Sequence, residues 1–250
     1  MTKRIAICFS GHLRKFFDSP ELDCFKQNVD LLKSQGHTVD LFFSIWDTYN
    51  TKTNSHGGEE NPIDSSVLSQ LDITLLEIQN YASMKDQFKL RNFHPTIEPE
   101  LDAIISDDGI LHNTPMFYKI YRANLLKTLH ETKHNFKYDV VVRYRANIQL
   151  NDTFNFYDVE PGYLYIEGRG HSGMPRECRG LGLKEPSWMM QDIFFYGDSQ
   201  TMDVVCDVYN NLVEMYPKYG STGPERILYD WVVLENKIPT KHHVIGFSLK

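Results

Sequence analysis

Apolar positions fall in runs and stripes that alternate along most of the chain. Ile5–Phe9 is a short continuous apolar run that stops at Ser10-Gly11, the pattern of a buried parallel strand ending in a tight turn. Leu22, Phe25, Val29 and Leu32 then recur at helical spacing, with Gly36 as a stop. Val39–Trp46 is a second apolar run, closed by Asp47, and residues 73–78 give a third. Thr114-Pro115 opens a long helix whose apolar face (Met116, Phe117, Ile120, Ala123, Leu126, Leu129) runs to about His134. The stretch 138–144 is a fourth strand. Its Val140-Val141-Val142 core predicts burial on both faces and a central place in the sheet.

Further strands are expected at 163–166, 193–196 and 242–247. Helices are expected over 62–71, over 201–216 and from Pro224. Residues 48–62 and 168–186 read as polar, glycine-containing loops, and 84–111 carries little pattern. The order predicts a doubly wound, Rossmann-like α/β sheet, mostly parallel, with helices on both faces and a mixed C-terminal half. Ligands of such sheets sit at the carboxyl ends of the strands, near the reversal in strand order. Three segments therefore matter: Ser10-Gly11, Trp46-Asp47, and Arg143 to Asn147.

The 250 residues suit one domain, and 41% hydrophobic content is enough for a full core. A net charge of -7 argues against a nucleic-acid backbone as the main partner. No stretch approaches the ~18 apolar residues that would cross a bilayer, so no transmembrane segment and a cytoplasmic protein are expected. Cys8, Cys24, Cys178 and Cys206 form no CxxC pair and read as free thiols in a reducing compartment. The histidines are read as giving no metal motif, with His242-His243 as a strand pair. The segment that follows the first strand carries neither G-x-G-x-x-G nor the phosphate-loop signature, and no serine sits in G-x-S-x-G.

The chemistry-bearing residues gather at the strand ends. Gly11 would let backbone approach a ligand, and Arg14 offers a guanidinium fork for a phosphate. Arg143 and Arg145, spaced i and i+2, should project from one side of an extended strand. Paired cations there call for an anion or for internal carboxylates, and a diphosphate is one such anion. Asp192 precedes the sixth strand, where it would serve as a general base, hold a metal, or pair with an arginine. Glu225 stands in the first turn of the last helix, where the helix dipole alone favours a carboxylate.

The motifs, in their order, resemble a family. Ser10-Gly11-His12-Leu13-Arg14, Phe43-Ser44-Ile45-Trp46-Asp47, and the set Met116, Tyr118, Lys119, Ile120 and Asn124 are followed by Tyr138 to Asn147. Asp192, Phe194 and Gly197, then Pro224, Glu225 and Leu228, complete the series. This ordered set is similar to GT-A-type glycosyltransferases of bacterial and large-virus glycan loci, and it spans nearly the whole chain.

The resemblance implies transfer of a sugar from a nucleoside-diphosphate sugar to a glycan or other hydroxyl acceptor. A nucleotide-binding half (1–150) and an acceptor-side, catalytic half (151–250) go with it. It implies donor binding by Ser10, Gly11, Arg14, Tyr118, Lys119, Arg143 and Arg145. Asp192 is expected as the base that deprotonates the acceptor, with Glu225 second, and the 168–186 loop is expected to close over the sugar. The family's acidic, metal-binding position is Asn147 here. Either its carbonyl ligates Mn²⁺ or Mg²⁺, less strongly than a carboxylate would, or Arg143 and Arg145 neutralise the leaving diphosphate instead. A non-catalytic carbohydrate- or nucleotide-binding module, and another nucleotide-sugar enzyme of the same fold, remain as alternative readings.

Overall fold

The computed structural model describes residues 2–13, 21–50, 60–63, 65–97, 110, 113–145, 148–150, 159–167, 190–220, 223–243 and 247–249. Its centre is a seven-stranded sheet. The strands are β1 (Arg4–Gly11), β2 (Thr38–Trp46), β5 (Leu75–Gln79), β6 (Val140–Arg145), β8 (Leu164–Glu167), β9 (Phe194–Gly197) and β10 (Thr240–His243). From one edge they run β5-β2-β1-β6-β9-β8-β10. All lie parallel except β9, which runs antiparallel to both β6 and β8. The first four sheet strands thus take the 3-2-1-4 order of doubly wound nucleotide-binding sheets, whose reversal falls between the first and fourth. That point lies between β1 and β6.

Two short antiparallel pairs stand outside this sheet: β3 (Thr48–Asn50) with β4 (Glu60–Pro62), and β7 (Ile148–Leu150) with β11 (Phe247–Leu249). The single strand expected over 242–247 is therefore divided between β10 and β11, which join different sheets. The helices are α1 (Glu21–Ser34), the single turns α2 (Ser65–Leu68) and α3 (Tyr81–Met84), α4 (Asn113–His134), α5 (Ser199–Cys206), α6 (Val208–Tyr219) and α7 (Pro224–Tyr229). No helix is long and apolar enough to cross a membrane among the described residues.

Side chains alternate along the strands and build two apolar layers. One face of β1, β2 and β6 packs with α1: Phe9 lies 4.4 Å from Phe43 in a stack, and Phe25 of α1 meets Tyr144 edge-on at 5.1 Å. The other face carries Phe42, Val141 and Phe195 against Phe117 and Ile120 of α4 and Met202 of α5. Val140, Val141 and Val142 are all fully buried, as a central strand covered on both faces requires.

Helix boundaries depart from the sequence pattern where polar side chains intervene. Thr114 does not cap α4. It is buried inside the first turn, and its hydroxyl lies 3.0 Å from that of Tyr216. The expected 201–216 helix is two helices. Asp198 caps α5 by accepting from the amides of Gln200 and Thr201, both at 3.0 Å. The break falls at Asp207, whose backbone carbonyl accepts from the side chain of Asn211 at 2.9 Å, a bond that competes with the helical ladder; its carboxylate accepts from the side chain of Asn210 at 2.6 Å. Cys8 and Cys206 are buried free thiols and Cys24 is half-buried; Cys178 lies outside the described residues.

Beyond Tyr229, α7 runs on as a π-helical turn, Asp230–Glu235. Asp230 is fully buried, with Arg226 Nε 2.7 Å from its Oδ1. Burial pushes its carboxyl up from 3.8 to about 6, with the Arg226 guanidinium opposing. The folded chain then holds this proton more tightly than the unfolded chain. Stability from this group is complete below the unfolded value and is lost as pH rises through about 6. Asp230→Asn should remove that fall, raising the unfolding midpoint at pH 7 more than at pH 4.5. An equal shift at both pH values, followed by scanning calorimetry, would contradict it.

Candidate functional site

The carboxyl ends of β1, β2, β5 and β6 carry one polar row in register. Glu77 pairs with Ser44, Ser44 with Ser10, and Ser10 with Arg145. Residues in parallel register project from the same side, here the side that packs under α4. Inside an otherwise apolar layer, this row is where a polar ligand could be met. Three strand spacings separate its ends, roughly 14 Å, too far for Glu77 and Arg145 to pair. Each end has its own charged cluster.

At the β5 end the cation is Lys119 of α4, fully buried. Its Nζ donates to Gln79 Oε1 at 2.6 Å, stands 3.9 Å from Glu77 Oε2, and lies 4.1 Å from the centroid of the Trp46 ring. Burial pushes this ammonium down to about 7; Arg122 adds to the fall, and Glu77 and Asp47 oppose it. Burial works to raise the Glu77 carboxyl, but hydrogen bonds from Arg122 and Ser44 outweigh it and hold the group below the usual carboxylate range. Tyr118 stacks on Trp46 at 6.0 Å and receives Gln79 Nε2 at 3.0 Å. His12, just past β1, packs its ring on Tyr81 at 5.3 Å and shares a 3.2 Å hydrogen bond with the Thr48 carbonyl. The described contacts seat Tyr118 and Lys119 with Glu77, Gln79 and Trp46 rather than with the arginines.

At the β6 end, Arg143 and Arg145 project from the same face, as their i, i+2 spacing requires. Neither opens simply onto solvent. Arg145 is about three-quarters buried and pairs with Asp192, Nη1 to Oδ2 at 3.3 Å. Arg143 is wholly buried and donates from Nη1 to the Tyr144 carbonyl. Burial pushes its guanidinium down to about 10; Asp192 opposes the fall and Arg145 adds to it. No carboxylate lies within ion-pair distance of Arg143 among the described residues. Its Nε, like Ser10 Oγ, is buried without a hydrogen-bond partner there. Orphaned buried polar atoms are uncommon in folded proteins and ask for an explanation.

Gly11 has φ +105°, in the left-handed region that favours glycine. An added Cβ would meet nothing within 4 Å, so the backbone conformation, not crowding, restricts this position. Glu225 sits half-buried in the first turn of α7. Arg14, Asn147 and the 168–186 loop lie outside the described residues.

A buried cation with one nitrogen unpartnered among the described residues is costly to the fold. A buried charge without a paired counter-charge carries a desolvation penalty that an apolar side chain of similar volume does not. Arg143→Met is therefore expected to leave the unfolding midpoint unchanged or raise it, measured by thermal melts without ligand. A drop of several degrees would show that the guanidinium is needed for the fold itself.

The sequence reading did not anticipate Glu77, Gln79 and Arg122. The signal was available in the alternation Leu76, Glu77, Ile78, Gln79, which puts both polar residues on the α4 side. It also passed over one histidine motif, His130-Glu131-Thr132-Lys133-His134. No protein-family model and no curated protein matches the chain.

Proposed function

We propose that this chain is a GT-A-type glycosyltransferase that moves a sugar from a nucleoside-diphosphate sugar to a hydroxyl acceptor. The observation that carries the reading is the buried Arg143, without a carboxylate at ion-pair distance among the described residues, beside Arg145 and Asp192 at the reversal in strand order. Support comes also from the motif order along the chain and from the reversed β9, which delivers Asp192 to the rim where β1 and β6 end.

In this reading the diphosphate takes Arg145 from Asp192. Magnitudes favour the exchange. A lone, partly exposed ion pair is worth about 1 kcal/mol or less, whereas hydrogen bonds to charged groups contribute about 1.5–3 kcal/mol each and a guanidinium meets phosphate oxygens two at a time. Asp192, released, accepts the proton of the acceptor hydroxyl as its oxygen forms the bond to the anomeric carbon. The bond from that carbon to the diphosphate breaks, and Arg143 and Arg145 meet the charge that develops on the leaving oxygens. The described residues at the rim do not fit a divalent cation. Asp192 faces Arg145, and no group of three or more His, Cys, Asp or Glu residues that could hold a metal occurs among the described residues.

Thermal melts with a panel of nucleoside diphosphates test the binding half. One of them should stabilise the protein, by about 2.7 kcal/mol at a hundredfold excess over Kd, and Arg145→Ala should abolish the shift. Acceptor-dependent release of the nucleoside diphosphate tests the chemistry. A chain that binds the nucleotide but releases none over a broad acceptor panel is a binding module of the same fold.

A further inference from the structure

Helix α4 ends on His130-Glu131-Thr132-Lys133-His134. The two imidazoles stand one turn apart on one helix face, with ring centroids 4.4 Å apart. His130 is half-buried and His134 exposed. Behind His130 stands a chain of hydrogen bonds. Thr74 Oγ1 donates to Asp40 Oδ1 at 3.1 Å, and Tyr138 OH donates to Asp40 Oδ2 at 2.8 Å. An ionised carboxylate only accepts, so the phenol proton belongs to Asp40. At the 2.9 Å contact between the Tyr138 oxygen and His130 Nδ1, the imidazole must then supply the proton. This fixes the Nδ1–H tautomer of His130 and leaves Nε2 with its lone pair. Metal-ligating histidines are held in this way, by a hydrogen bond on the nitrogen that does not ligate.

We propose that His130 and His134 form a two-imidazole site for a borderline divalent transition ion of the Zn²⁺, Ni²⁺ and Cu²⁺ class, with water completing the shell. Imidazole selects this class over Mg²⁺ and Ca²⁺, which prefer oxygen. A cation is also favoured at the carbonyl end of a helix. Two protein ligands make an exchangeable site, weaker than a closed four-ligand one. The glutamate within the motif does not act as a hydrolytic base. Glu131 is buried and accepts from Lys127, Lys137, Ser199 Oγ and the Tyr138 amide, so the site binds an ion without the general base of a metallopeptidase. It stands at the opposite end of the sheet from Ser10 and Arg145, because Asp40 is early in β2 and Tyr138 precedes β6. It is thus independent of the proposed transfer site.

The test is a Cu²⁺ titration of the untagged full chain, followed by electron paramagnetic resonance and by the thermal midpoint. The expected result is one equivalent with imidazole-nitrogen coupling, weakened at least tenfold by His134→Ala and by His130→Gln. His242→Ala, an exposed histidine on β10, should leave that binding unchanged. His134 is exposed, so its replacement should fold as the parent does, and a melt without metal checks this. Unaltered binding in His134→Ala, or no nitrogen-coupled equivalent in the parent chain, overturns the proposal.

Discussion

Asp192→Asn is expected to lower acceptor-dependent release of nucleoside diphosphate by about 10²–10⁴-fold, the usual contribution of a positioned general base. Donor affinity should stay the same or rise. The two expectations separate because Asp192 plays two parts in the proposed cycle. Without ligand its carboxylate holds Arg145 at 3.3 Å. With donor bound, that carboxylate is a negative charge close to a diphosphate, and the amide removes both the repulsion and the competition for the guanidinium. Arg145→Ala should behave in the opposite way, losing donor affinity first. Parent-like turnover in Asp192→Asn would end the assignment of Asp192 as the base. Loss of donor affinity in the same variant would make its role the positioning of Arg145.

The largest expected loss of stability lies away from the proposed site, in the charged cluster between α4 and α5. Glu131, almost wholly buried, accepts from Lys127 Nζ (3.2 Å), Lys137 Nζ (2.8 Å), Ser199 Oγ (2.6 Å) and the Tyr138 amide (2.9 Å). Lys127, fully buried, also donates to Asp203 at 2.6 Å. Glu131→Ala leaves Lys127 with half its counter-charge and strands the Tyr138 amide. Breaking a buried pair from one side costs about 3–5 kcal/mol, and a denaturant midpoint would read it. Burial alone would raise the Glu131 carboxyl, but the hydrogen bonds from Lys137, Ser199 and Tyr138 hold it below its ordinary 4.5. A depressed carboxyl adds stability above its unfolded value and loses it as pH falls through the folded one. The variant should therefore lose less than the parent between neutral pH and pH 3. A midpoint change worth under about 1 kcal/mol would mean that Asp203, only partly buried, suffices for Lys127.

Strands were legible where burial on both faces forces a continuous apolar run. Ile5–Phe9, Val39–Trp46 and the three valines of β6 announced themselves in this way. The order in which they pair was not legible, because the insertion of a reversed β9 between β6 and β8 is a tertiary outcome that no local period encodes. Helix ends were misjudged at Thr114 and Asp207, residues whose side chains answer to distant or competing partners. At the proposed site, the shared face of Arg143 and Arg145 followed from strand periodicity alone. Their differing surroundings, one paired with Asp192 and one buried beside Cys8, depend on neighbours 135 and more residues away or on the loop that enters β9, and charge pattern does not reveal these. Lys119 illustrates the same limit: the motif singled out the residue, while Glu77, Gln79 and Trp46, which balance it, come from two other strands.

The backward direction of β9 has an evolutionary consequence. β8 lies parallel to β6 and therefore finishes at the same rim, while β9 sets out from it. Both anchor points of the intervening connection, Glu167 and Met190, are thus fixed where β1 and β6 terminate. None of the strand pairings among the described residues draws on the positions between those anchors. In the proposed transfer reaction, acceptor preference could be remodelled by exchanging this one connection, with the described strand pairings as its fixed frame.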